Sequence, residues 1–228
     1  MRMHKKRNLE PRMLACADIL IARGKPCPNV KEAAETYRAL VDYSALFGNG
    51  NPVHLEVGCG NGGFIAEMAK RHPDVNFIAV EVCSNVILTA MERIKAEKIP
   101  NVRFLNTPAE ILCCYLPENS IGRIYLNFST PLPQQGYVKQ RLTSPRFLAI
   151  YQNLLKVGGD IRQKTDSEPF FEYSLEQYAQ NGFVCSDITR DLHASEYAAD
   201  NVVTEYEKHF SDQGLPIYAV VATWTGKK

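Results

Sequence analysis

The run Leu55-Glu56-Val57-Gly58-Cys59-Gly60-Asn61-Gly62-Gly63-Phe64 constrains this chain more than any other stretch. An apolar segment ends in an acid and a glycine cluster, and a helix-like run from Phe64 to Lys70 follows. Glycines are needed where the backbone turns sharply from strand into helix and a ligand must lie against it. The pattern reads as a seat for a nucleotide-like cofactor. Its spacing, Gly58-x-Gly60-x-x-Gly63, also fits a dinucleotide fingerprint, with Glu81 at a suitable distance for a ribose contact.

Strand and helix signals alternate around this unit. Residues 31–47 read as one helix with Ala33, Tyr37, Leu40, Val41 and Ala45 as its apolar stripe. Strands are expected at 53–57, 75–81, 102–105, 121–128, 160–164, 183–188 and 217–224. Helices are expected from the glycine cluster to about Arg71 and at 84–98, 145–155 and 168–181, with a Pro/Gln/Gly-rich loop over 129–141. The alternation predicts an α/β fold, a doubly wound and mostly parallel sheet with helices on both faces. The chain divides into a basic N-terminal arm, 1–30, and a single domain, 31–228. In such sheets ligands sit beyond the carboxyl ends of the strands near the switch point, where Glu56, Glu81 and the loops after Phe104 and Asn127 fall.

Charge narrows the partners. With 26 basic and 25 acidic residues no global field recruits nucleic acid, so any basic footprint is local. It lies in the first dozen residues, at Arg2, His4, Lys5, Lys6, Arg7 and Arg12. Asp18 and Arg23 interrupt the apolar residues that follow, so the start does not read as a secretory signal, and no stretch is long enough to span a membrane. Seven cysteines, an odd number with no pair at metal-ligand spacing, read as reduced thiols of a cytoplasmic protein without a metal.

Glu56, two residues before the first glycine, resembles the acid of the Glu-x-Gly-x-Gly-x-Gly pattern of class I methyltransferases, which faces bound S-adenosylmethionine. That favours S-adenosylmethionine over a nicotinamide dinucleotide, with Glu56, Gly58, Gly60 and Glu81 as cofactor-binding residues. Nearly the whole chain, from the basic arm to Tyr218, is similar to the bacterial single-subunit tRNA (guanine-N7-)-methyltransferases. The similarity is carried by Ile124-Tyr125-Leu126-Asn127-Phe128-Ser129, Lys139-x-Arg141-Leu142-Thr143, Lys164-Thr165-Asp166 and Phe171-Glu172-Tyr173-Ser174-Leu175. Asp191-Leu192-His193-x-Ser195, Thr204-Glu205-Tyr206-Glu207 and Pro216-Ile217-Tyr218 continue it.

The resemblance implies a Rossmann-like fold and methyl transfer from S-adenosylmethionine to N7 of a guanosine in the tRNA variable loop. It implies substrate contacts at Asp166, Thr204 and Glu207, and RNA-backbone contacts from Arg2, Lys5, Lys6, Arg7, Lys139 and Arg141. Thr204 to Glu207 also reads, independently, as a capping box on a short helix, and His193 as a hydrogen-bonded structural histidine.

Several positions depart from the family pattern. Where it has Asp-Pro-Trp-Pro-Lys, this chain has Thr130-Pro131-Leu132-Pro133-Gln134, so Thr130 stands at the acid assigned to catalysis and Gln134 at the substrate-side lysine. Pro108 replaces an Asp near the adenine, and Asn61 replaces a lysine between the glycines. N7 of guanine carries an in-plane lone pair and no proton, so the task is orientation rather than general-base catalysis. A carboxylate at 130 would accept guanine N1–H and N2–H and offset the positive ring that forms; a threonine replaces one bond but not the charge. Two alternatives stand beside methyl transfer to tRNA: a divergent chain that binds tRNA or cofactor with weak or no transfer, and a methyltransferase with another substrate.

Overall fold

The computed structural model describes residues 6–24 and 30–227. It opens with helix α1 (Leu9–Leu14), strand β1 (Leu20–Arg23) and helices α2 (Val30–Thr36) and α3 (Tyr43–Phe47). There follow β2 (Val53–Val57), α4 (Gly63–Arg71), β3 (Asn76–Val80), α5 (Ser84–Ala96), β4 (Val102–Asn106) and β5 (Ile121–Asn127). The rest is α6 (Pro145–Leu154), β6 (Leu155–Thr165), α7 (Glu168–Gln180), β7 (Phe183–Thr189), α8 (Glu205–Ser211) and β8 (Tyr218–Trp224).

The strands form one sheet in the order β1-β4-β3-β2-β5-β6-β8-β7. Strand β8 runs antiparallel to β6 and β7, and the remaining pairs are parallel. From β2 the chain winds outward through β3 and β4, then returns to place β5 on the other side of β2. The switch point therefore lies between β2 and β5, and the crevice beyond their carboxyl ends is where a ligand fits.

The central strands are buried on both faces, as strands of a covered parallel sheet are. Val53, Leu55 and Val57 of β2 face a core completed by Phe147, Leu148, Tyr151 and Leu154 of α6 and by Phe171 and Tyr178 of α7. Phe77 and Ala79 of β3 face the opposite core with Ile65 and Met68 of α4 and Ile87, Leu88 and Met91 of α5. Alternation puts Glu56 on the second face, along with Tyr125, which packs edge-on against Phe64 of α4 at 5.1 Å. An acid at the last polar position of β2 is thereby delivered into the crevice.

Two stretches differ from the sequence expectation. Residues 31–47 are not one helix. Between α2 and α3 the chain is extended, with Ala39 N–H donating to Cys114 O and Val41 N–H to Tyr115 O, both at 2.8 Å. Asp42 then caps α3 by accepting from Ser44 N–H at 2.9 Å, and Tyr37 and Leu40 of the expected stripe are exposed. Within the stretch read as a basic arm, α1 and the edge strand β1 pack on the sheet. Leu9 and Met13 join the α4–α5 core, β1 pairs parallel with β4, and Arg12 forms a two-pronged bond with Glu92 of α5 at 2.7 Å.

Candidate active site

The turn after β2 is built on the carbonyl of Val80, which accepts from Gly58 N–H at 2.8 Å and Cys59 N–H at 2.9 Å. These bonds fold the loop back over β3 and demand φ of 85° at Gly58 and 56° at Gly60, a region that L side chains avoid. A Cβ at either glycine would meet no atom within 4 Å, so both face open space. That space is a cavity of about 540 Å³ lined by Glu56, Gly58, Gly60, Asn61, Phe64, Asn127 and Phe128 from the sheet side and by Thr204 to Tyr206 of α8 and its cap.

Glu56 is the most unusual group in it. The residue is 2 % exposed; Oε1 accepts from Asn127 Nδ2 at 3.1 Å, and Oε2 is buried without any hydrogen-bond partner. Burial pushes its pKa up to about 8, against the lowering effect of the Asn127 bond and the Lys164 charge. A buried carboxylate oxygen without a partner beside a glycine-walled cavity has the chemistry to receive a cationic group. Glu81 follows β3 one strand away, near enough to raise Glu56 further; one of its oxygens accepts from Cys83 N–H at 2.8 Å.

The far wall is α8, and three sets of contacts fix it. Thr204 caps the helix by accepting from Glu207 N–H at 2.9 Å, and Glu207 accepts in return from Thr204 N–H at 3.3 Å, the capping box read in the sequence. Glu207, 0 % exposed, also takes Lys164 Nζ at 2.6 Å and the Asn201 side-chain amide, with His193 Nε2 3.1 Å away. Glu205 reaches across the cavity mouth to accept from Asn61 of the glycine turn and from Arg93 of α5, the latter at 2.8 Å. Both partners hold the Glu205 carboxyl below its ordinary pKa. Exposed pairs of this kind contribute about 0–1 kcal/mol. Glu205→Ala is therefore expected to weaken cofactor binding about two- to fivefold by calorimetry and to leave the thermal midpoint nearly unchanged. A loss above a hundredfold would mean that Glu205 touches the ligand itself.

The remaining sequence-derived candidates are dispersed. Thr130 and Gln134 are exposed in the loop after β5, and Lys139 is exposed on the short 3₁₀ turn Gln135–Gln140. Arg141 braces that loop, donating to Leu132 O at 3.2 Å and lying 4.4 Å above the Tyr173 ring. Pro108 caps the 3₁₀ segment Ala109–Cys114 and brings no side-chain donor or acceptor; beside it Thr107 Oγ1 is buried and unpartnered. Asp166 follows β6, half-buried and with no hydrogen bond among the described residues. Lys6 is tied to α5, through its N–H to Asn85 at 3.0 Å and its ammonium to Thr89. Arg7 is exposed, and Arg2 and Lys5 lie outside the described residues.

Glu207, expected at the substrate, is enclosed with both oxygens bonded, and it closes the capping box with Thr204. Nothing in the sequence marks Lys164 as its partner, since β6 also carries Lys156, Asp160, Arg162 and Gln163. No local pattern marks the cluster of Phe128, Tyr206 and Phe210, since its members come from two segments far apart in the chain.

A glycine turn at the switch point, an acid before it and an antiparallel last strand define a class I methyltransferase. Solved structures agree on the fold. The 16S rRNA methyltransferase KamB superposes with a TM-score of 0.59 at 19% identity, covering 82% of this chain and 95% of that one. A SAM-dependent methyltransferase from Aquifex aeolicus gives 0.54 at 15% identity, covering 85% and 95%. A family model described as a putative methyltransferase matches residues 50–220. The tRNA (guanine-N(7)-)-methyltransferase of Brevibacillus brevis is 45% identical over 204 residues, 86% of this chain and 95% of the relative. That of Bacillus subtilis is 41% identical over 182 residues, 80% and 85%. The chain belongs to the tRNA (guanine-N7-)-methyltransferase family.

Proposed function

We propose that this protein transfers a methyl group from S-adenosylmethionine to N7 of a guanosine in the variable loop of tRNA. The observation that carries the reading is Glu56, a buried carboxylate with an open oxygen in a cavity walled by Gly58 and Gly60. It fits the ammonium of the methyl donor's amino-acid end, and Glu81, at the next strand tip, fits the ribose hydroxyls. The donor supplies the methyl: the N7 lone pair forms the new C–N bond as the C–S pair returns to sulfur.

No proton moves at N7, so this chain's own task is to hold the base in line and to exclude water. His193 beside Glu207 accordingly has no acid–base role to fill. Phosphate contacts fall to Lys139, Arg7 and the residues before it, and their small number makes RNA binding weak, with a shallow salt dependence. The free cysteines fit work in the cytoplasm, where the RNA substrate is. A chain that had given up the transfer would gain by filling or neutralising the Glu56 socket, which is kept open.

The test is transfer of labelled methyl to unmodified tRNA with the product base identified, run on the wild type and on Thr130→Asp. N7-methylguanosine from the wild type is the expected product. Thr130 is exposed in the loop beside the crevice, and an acid there would add a charge-assisted bond worth about 1.5–3 kcal/mol. Thr130→Asp is therefore expected to raise the rate about ten- to a hundredfold. Absence of transfer from both proteins, with the cofactor bound, would overturn the reading.

A further inference from the structure

Tyr206 is 55 % exposed although it is a large aromatic side chain on the wall of the cofactor cavity. It is not loosely hung. Its ring lies 5.4 Å from Phe128 and 5.0 Å from Phe210, each at 50°, while Phe128 and Phe210 are within 5° of parallel. Phe128 reaches this position by adopting φ 51° directly after β5, a left-handed conformation disfavoured for a bulky residue, with its N–H on Lys164 O at 2.8 Å. Strain of that kind persists only where the surroundings enforce it. Here it turns the ring out of the sheet edge and against α8. The helix is itself pinned by its capping box, by Lys164 and by the Glu205 contacts. A rigid aromatic face is thus presented, half-open, at the mouth of the crevice where methyl transfer takes place.

We propose that Tyr206, backed by Phe128 and Phe210, is a stacking platform for the target purine, and that it favours the cationic, N7-methylated ring over the neutral one. The inference rests on the guanine-N7 reading given above. A flat base completes the unfinished aromatic cluster, and any base can stack on such a face whatever its hydrogen-bonding edge. When N7 gives its lone pair to the methyl group no proton leaves, so the purine becomes a cation. A cation over an aromatic face is stabilised by the ring's negative quadrupole. Thr130 brings no carboxylate to offset that charge from the loop after β5. An aromatic platform provides a neutral means of favouring the charged ring, and its effect grows as charge develops.

The test begins with the protein free of cofactor. Equilibrium binding of 7-methylguanosine and of guanosine is measured by saturation-transfer NMR on the wild type, Tyr206→Phe and Tyr206→Leu. The wild type and Tyr206→Phe are expected to bind the cationic nucleoside about two- to fivefold more tightly, and Tyr206→Leu to lose the preference. In steady-state assays on tRNA at saturating cofactor, Tyr206→Leu is expected to lower kcat about tenfold or more in a protein that still folds and binds cofactor.

Equal affinity of the wild type for the two nucleosides overturns the charge preference whatever the variants do. A kcat for folded Tyr206→Leu within twofold of the wild type overturns the platform. A Tyr206-dependent preference for 7-methylguanosine without methyl transfer to tRNA would support the platform and count against the tRNA reading alone. Transfer to tRNA with a Tyr206-independent preference would do the reverse.

Discussion

Replacing Glu56 with glutamine is expected to strip this protein of its methyl donor while making the empty fold harder to unfold. Both effects follow from one buried oxygen. With Oε2 unpartnered, the carboxylate is hard to charge, and burial raises its pKa from 4.5 to about 8. Between those values the folded protein holds a proton that the unfolded chain has released. Stability is therefore greatest below about pH 4.5 as far as this group is concerned, and it falls as pH rises to about 8. The slope approaches about 1.4 kcal/mol per pH unit. Glutamine removes the slope, so urea midpoints of the wild type and Glu56→Gln should separate between pH 6 and pH 8 in the variant's favour.

Binding has the opposite sign. An ammonium entering the socket pairs with the carboxylate and expels its proton, so cofactor affinity rises toward pH 8 by up to about tenfold per unit. Calorimetry in two buffers of different ionisation enthalpy should record the released proton. A buried, hydrogen-bonded charge pair loses about 2–5 kcal/mol when one partner is truncated, which is about thirtyfold or more in affinity. A Glu56→Gln protein that bound S-adenosylmethionine within threefold of the wild type would place the ammonium elsewhere.

Glu56 was legible in the sequence because a carboxylate interrupting Leu55 and Val57 just before a cluster of four glycines has few other uses. The sheet was legible for a similar reason. Gly, Pro and Asn punctuate its strands, and β8 differs from the others in running antiparallel to its neighbours. Local patterns failed where distant groups decide the structure. Residues 37–42 carry helix-compatible side chains, yet the N–H groups of Ala39 and Val41 are drawn to the carbonyls of Cys114 and Tyr115. The α1–β1 segment is short and follows directly on a cationic start, and only its pairing with β4 and α5 makes it part of the sheet. The aromatic wall depends on the φ of one phenylalanine and on a helix folding back from beyond residue 200, neither of which a window of sequence reports.

Lys164 and Glu207 carry the second large effect, on stability. The ammonium has three donors and meets three acceptors: Glu207 Oε2 at 2.6 Å, Asn201 Oδ1 at 2.9 Å and Val202 O at 2.9 Å. Burial pulls its pKa down and the Glu207 carboxylate opposes the fall. Such a pair contributes little net energy compared with an apolar pair of the same shape, but breaking it leaves a charge stranded. Lys164→Met is expected to destabilise by about 3–5 kcal/mol. In a chain of this size that lowers the thermal midpoint by roughly 6–20 °C. Lys164→Met/Glu207→Gln removes both charges and keeps a residue that can close the capping box, so it should recover most of the loss.

The same pair of variants decides what Glu207 does. If it orders α8, methyl transfer follows stability: impaired in Lys164→Met, largely restored in the double variant. If Glu207 instead touches the guanine, the double variant will be stable and inactive. The enclosed carboxylate, bonded at both oxygens, argues for the first outcome. On that account the buried charge in β6 serves catalysis at one remove, by holding Thr204 and Tyr206 against the crevice.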